Sequence, residues 1–192
     1  MPSPLPPDLQ QILDAIDATD KAGAAIAARV TDEEFQWKPD DGRRWSIAEC
    51  LDHLAVINTL YSAAVRSGME QARKNGWTRK GAVEPGFFGK KFVASQEPPV
   101  KMKLRAPQRV QPKPMRSRQE VMLAYHDAHN EVRRLIAECA SIDTNRATFS
   151  NPFVPILRIR VSTGLHVMPA HDRRHLWQAE QVEKEIQERR GR

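Results

Sequence analysis

The sequence predicts an all-α protein: a four-helix bundle of 192 residues with a long basic, proline-rich insertion between its second and third helices. Three observations predict it. Apolar residues recur at spacings of 3 and 4 in four separate stretches, each the inward stripe of an amphipathic helix. Two of those stretches open on a Ser-x-x-Glu capping box, Ser46 to Glu49 and Ser117 to Glu120. Between Trp77 and Arg116 the periodicity fails, and six of the chain's 14 prolines gather there.

Composition bounds the rest. Hydrophobic residues make up 40% and charged residues 28%, an ordinary balance for one globular domain, expected to span 1–192. No run approaches the roughly 20 apolar residues that cross a bilayer, so no membrane association is expected. The lead Met1-Pro2-Ser3-Pro4-Leu5-Pro6-Pro7 lacks a basic region followed by an apolar one, the pattern of a secretory signal. Cys50 and Cys139 both fall on apolar helix faces and are expected to be buried free thiols. A cytoplasmic location is the expectation that follows.

In chain order, the first helix is expected from Asp8, read as its N-cap, to about Val30, with Leu9, Ile12, Leu13, Ile16, Gly23 and Ala27 on its stripe. A short helical turn starts at Thr31 or Asp32, and Pro39-Asp40-Asp41-Gly42 reads as a turn. The second helix runs from its cap at Ser46 to about Ser67. Ile47, Cys50, Leu51, Leu54, Ile57, Tyr61 and Val65 line it, and His53 sits on its apolar flank.

The segment 77–116 then carries ten Lys and Arg against Glu84 and Glu97, a local balance of +8 that leaves the remainder near −2. Local structure is expected only around Phe87, Phe88 and Phe92. The third helix runs from Ser117 to about Ala140 on Val121, Tyr125, Ala128, Val132, Leu135 and Cys139. His126 and His129 lie off that stripe and read as solvated. A loop follows to about Pro155. Ile156–Val161 is either extended or the start of the last helix, in which Pro169 lies near the start or kinks a longer helix beginning near Ser162.

That last helix carries the chemistry. Met168, His171, His175, Ala179, Val182 and Ile186 share one stripe, so two imidazoles occupy an otherwise apolar face. Two His at i and i+4 can close on one metal ion. They can equally be core histidines bonded to their neighbours, and the spacing alone leaves both readings open. If the second and fourth helices pack at matching levels, His53 supplies a third nitrogen. A metal held by three neutral imidazoles keeps positions open for water or substrate.

Two motifs resemble those of a known family. Trp45-Ser46-Ile47-Ala48-Glu49-Cys50-Leu51-Asp52-His53-Leu54 resembles the W-S-x-x-E-x-L-x-H-L entry to the second helix of DinB-like (DinB/YfiT-type) proteins, with Trp37-Lys38-Pro39 and Gly42 as lead-in. His171-Asp172-Arg173-Arg174-His175-Leu176-Trp177-Gln178 is similar to that family's H-x-x-x-H-x-x-Q helix. The resemblance implies a four-helix bundle holding a divalent metal, usually zinc or nickel, on His53, His171 and His175. It also implies a metal-dependent hydrolase, or a transferase or isomerase using a low-molecular-weight thiol, acting on a small molecule. The basic insertion departs from the family, so the substrate does not carry over. The reacting group is left open between a metal-bound water and a thiolate.

Other roles stay outside the ligand set. Glu49 lies one turn before His53 and is a candidate to support it, although its capping duty already explains it. Asp172 is expected to make a surface contact, and His166 points elsewhere. The competing functions are a metal-binding protein without turnover and a nucleic-acid-binding module built on 77–116. The second is disfavoured by the few aromatics interleaved with its cations. A homodimer is compatible with the family reading. His171-Asp172-Arg173-Arg174-His175 lacks the Glu of metalloprotease helices, and a di-iron bundle would need paired Glu-x-x-His motifs that are absent.

Overall fold

A computed structural model describes residues 4–99, 110–113 and 116–191, and within them the chain is mostly helical. The helices are α1 (Pro7–Ala28), α2 (Asp32–Gln36), α3 (Ile47–Lys74), α4 (Phe87–Gln96), α5 (Arg118–Glu138) and α6 (Val161–Arg190). A small antiparallel hairpin pairs β1 (Thr148–Ser150) with β2 (Arg158–Arg160), Phe149 opposite Ile159. Among the long helices, α3 lies against α5 and α6, and α1 packs on the same two from the other side. No helix among the described residues is long and apolar enough to cross a membrane.

Local signals explain most element ends. Ser46 and Ser117 accept from the third backbone N–H of their helices while Glu49 and Glu120 return to the cap N–H, and Thr31 with Glu34 does the same for α2. The first helix corrects the expected cap: Pro6 is its N-cap and Pro7 its first residue. The Asp8 carboxylate instead accepts two hydrogen bonds from Arg79 and one from the Val83 N–H, tying the chain beyond α3 back to the start of α1. α3 outruns its expected end by two turns because Met69 and Ala72 continue its buried face. Cys50 and Cys139 are both buried and free, and burial pushes each thiol up to about 12.

α6 takes the longer of its two expected forms, with Pro169 inside it. The hairpin sets its start. β2 feeds directly into α6, whose first N–H groups donate to Ala147 and Thr144 carbonyls. Gly164 is required at the contact that follows, since a Cβ there would stand 2.8 Å from the Phe149 ring. Of residues 156–161, the first two lie in a turn, 158–160 are strand and Val161 starts the helix.

Two polar residues expected at the surface are buried. Asp172 and His129 are fully inaccessible. The reason is mutual: Asp172 on α6 accepts from Asn58 on α3 (3.0 Å), Thr19 on α1 (3.1 Å) and His129 on α5 (3.2 Å). One carboxylate thus meets all three other long helices. The other nitrogen of His129, Nδ1, donates to the Tyr125 carbonyl. Burial alone would lower its pKa, but the Asp172 carboxylate and the Tyr125 carbonyl outweigh burial and raise it. Helical periodicity could not anticipate this pairing, because each residue is polar and only its partner makes burial tolerable.

The segment 77–116 has more structure than its prolines suggest. Phe87, Phe88 and Phe92 fall in α4, which has no buried residue of its own and lies along α6. Lys101, Lys103, Arg105, Arg109, Pro107 and Pro114 lie outside the described residues.

Candidate metal centre

His53 comes from the second turn of α3, and His171 and His175 come from the middle of α6. The capping box starts α3 so that His53 faces α6. The two α6 residues are one turn apart on the stripe that packs against it. One nitrogen from each of the three rings lies within 4.8 Å of the others. His53 Nε2 and His171 Nε2 stand 3.3 Å apart. Among the described residues this is the one group of three or more His, Cys, Asp or Glu gathered closely enough to hold an ion.

The tautomers decide what this closeness means. His53 Nδ1 faces the Val110 carbonyl at 2.6 Å, and His171 Nδ1 faces Gln96 Oε1 at 3.1 Å. The Gln96 amide is oriented by its own Nε2, which donates to Ser95 Oγ. Both partners only accept, so both Nδ1 atoms carry the proton, and both Nε2 atoms present lone pairs to each other. Lone pairs at that distance repel unless a cation lies between them. A proton is a poor candidate. Burial and the neighbouring His53 press the pKa of His171 down to about 3, and burial likewise lowers His53 and His175. A divalent ion fits: nitrogens about 2.0–2.1 Å from a tetrahedral centre stand roughly 3.3–3.4 Å apart.

His129 shows the opposite arrangement among the same helices. Its two nitrogens face two acceptors, and its proton affinity rises instead of falling.

The hydrogen bonds that orient the rings come from the 77–116 segment, a source with no periodic signature in sequence. Asp52, next to His53, accepts from the Lys113 N–H and the Arg116 guanidinium, which fixes the returning end of the segment and with it the Val110 carbonyl. At the outgoing end, Glu97 pairs with Arg173, and the Ser95 carbonyl accepts from Arg174, which seats Gln96 on His171. Trp45 closes one side of the site, with its ring 4.8 Å from His53 and stacked at 5.7 Å on His175. Gln178 lies against His175, where its side chain offsets part of the lowering that burial imposes on the ring's pKa.

The remaining expected residues fall elsewhere. Glu49 accepts from the Ser46 N–H and from Lys38 Nζ at 2.9 Å, so its oxygens are directed away from the three histidines. His166 Nδ1 donates to the Ser162 carbonyl. His126 pairs with Asp20 on the outer side of α1 and α5.

A cavity of about 1480 Å³ opens from the histidines along the groove between α3 and α6. A family model for the DinB superfamily matches residues 7–179, a span that contains all three histidines and their supporting contacts. The chain belongs to the DinB superfamily. Comparison with curated proteins and with solved structures returned no match. The W-S-x-x-E-x-L-x-H-L and H-x-x-x-H-x-x-Q segments of this DinB-superfamily member thus meet in space at a three-histidine cluster compatible with metal binding.

Proposed function

We propose that His53, His171 and His175 hold one divalent ion, zinc or nickel, and that the protein is a metal-dependent enzyme acting on a small molecule. The reaction is either hydrolysis or transfer to a low-molecular-weight thiol. The observation that carries this reading is the pair of opposed Nε2 lone pairs 3.3 Å apart. Imidazole donors suit either metal. The single DinB-like domain, a four-helix bundle interrupted by an insertion at 77–116, is part of the same proposal.

When bound, such an ion supplies Lewis acidity toward water, thiol or carbonyl. The chain's own residues do the rest. Val110 and Gln96 keep the two protons on Nδ1 and so keep both Nε2 atoms available. Trp45 packs against His53 and His175 and limits how far their rings can turn. Lys38, Arg43 and Arg44 line the same cavity, each beside a carboxylate partner, Glu49, Asp41 and Glu185 respectively.

The nucleic-acid reading of 77–116 has less support. Arg79 and Arg116 pair with Asp8 and Asp52, Lys90 lies 3.8 Å from Glu84, and Lys91 sits over the Phe87 ring.

Elemental analysis of the purified protein tests the proposal. Near-stoichiometric zinc or nickel is expected, with at least 100-fold weaker retention in His171→Ala or His175→Ala. A folded protein that takes up neither metal at neutral pH would overturn it.

A further inference from the structure

The cavity has a second polar end. His53, Ile57 and Tyr61 lie four residues apart on one stripe of α3, so the Tyr61 side chain begins about 12 Å along the helix from His53. Tyr61 and Asn151 both line the same cavity. Between the two ends its walls are apolar, with Ile57, Phe92, Phe153, Leu157, Val167 and Met168.

The hydrogen bonding around Tyr61 sets the direction of its proton. Asn151 Oδ1 accepts from the Phe153 and Val154 N–H groups, which fixes the amide in one orientation. Its Nδ2 then donates to the Tyr61 hydroxyl at 3.1 Å. The hydroxyl therefore acts as acceptor toward the hairpin, and among the described residues its own O–H meets no acceptor. Burial pushes the phenol up to about 12, so it keeps that proton at any physiological pH. The ring is held edge-on to Phe149, 5.9 Å away, and against Phe153, 5.7 Å away. A donor rigidly held at the end of an apolar passage is a specificity device, since a ligand that leaves it unpaired forfeits the bond.

We infer that the cavity takes an elongated ligand. Its reactive head meets the three histidines, its unbranched or aromatic apolar body lies along Ile57 and Met168, and a neutral hydrogen-bond acceptor such as a ketone or ester carbonyl at its far end is bound by the Tyr61 hydroxyl. Only the position of the head rests on the metal reading given above.

The test uses the full chain, metal-free and loaded with zinc, and the probes acetohydroxamic, hexanohydroxamic, decanohydroxamic and 9-oxodecanohydroxamic acid, with Kd measured by titration calorimetry. Affinity is expected to rise about fourfold per methylene while the chain fills the apolar passage. The advantage of the 9-oxo compound over the plain ten-carbon chain is expected to shrink by about three- to tenfold in Tyr61→Phe, which keeps the ring and removes the donor. Binding of 2-nonanone, which has no metal-binding head, is measured in parallel on both proteins. Ketone binding that weakens in Tyr61→Phe, alongside hydroxamates that show no metal-dependent affinity, sinks the metal reading and leaves the Tyr61 end standing. Affinity independent of chain length, or a ketone preference unchanged in Tyr61→Phe, overturns the inference.

Discussion

At the scale of single residues, the site depends on atoms that orient the histidines as much as on the histidines. Gln96→Ala removes the acceptor that holds the His171 proton on Nδ1. It is expected to weaken zinc binding about 10- to 100-fold with little change in stability, read by competition with a chromogenic chelator. Asp172 makes a contrasting case one position along. Asp172→Ala leaves the buried His129 and the Asn58 and Thr19 side chains facing a void. A loss of about 3–5 kcal/mol is expected in urea denaturation, because a buried charge then has no counterpart. The two substitutions thus separate binding from folding, and a Gln96→Ala protein as unstable as Asp172→Ala would contradict that division.

At the scale of elements, α4 is the weakest-held piece of the site. It buries no residue of its own, and it stays close to α6 partly because Gly89 lets the backbone approach Thr163. A Cβ at Gly89 would collide with the Thr163 hydroxyl and stand 3.1 Å from Pro85. Thr163 is itself buried and cannot yield. Gly89→Ala should improve the intrinsic helicity of α4 by up to about 1 kcal/mol and yet lift it from α6. The expected result is weaker metal binding with stability near the wild type, checked by chelator competition beside thermal melting. Amide exchange in α4 is expected to be faster than in α3, α5 and α6, and to slow when zinc is added.

At the scale of the molecule, the histidines make stability depend on pH in two opposed ways. His53, His171 and His175 bind protons less readily folded than unfolded, His171 only near about 3 against an ordinary 6.5. In that window the unfolded chain carries more protons, so stability falls as pH drops below about 6.5. His129 has the reverse shift. Its contribution is complete below about 6.5 and is lost as pH rises through its raised folded value. Metal-free protein should therefore be most stable near neutrality, with three histidines steepening the acid side. Urea midpoints measured with chelator from about pH 5 to pH 8 check this. A monotonic rise across that range would mean that His129 is neutral in the folded protein. Zinc should add stability by mass action, most strongly near neutral pH, since protons compete for the same nitrogens in acid.

Much of this was legible in the residues themselves. Capping boxes at Ser46 and Ser117 and the 3,4-spaced stripes marked helices at α3, α5 and α6, because backbone capping and one-sided burial act within a few turns of chain. The His171–His175 pair was visible for the same reason, and the two sequence motifs singled out His53 as the third member of the cluster. Tertiary structure alone decided the rest. His129 and Asp172 exchange solvent for each other across 43 residues, and Val110 and Gln96 orient rings 57 and 75 positions away. Polar burial is tolerated only where a partner arrives, and that partner comes from packing, which no local period encodes. The sequence by itself determined which side chains present nitrogens to the core; packing determined that their lone pairs converge, which is what makes a cation welcome there.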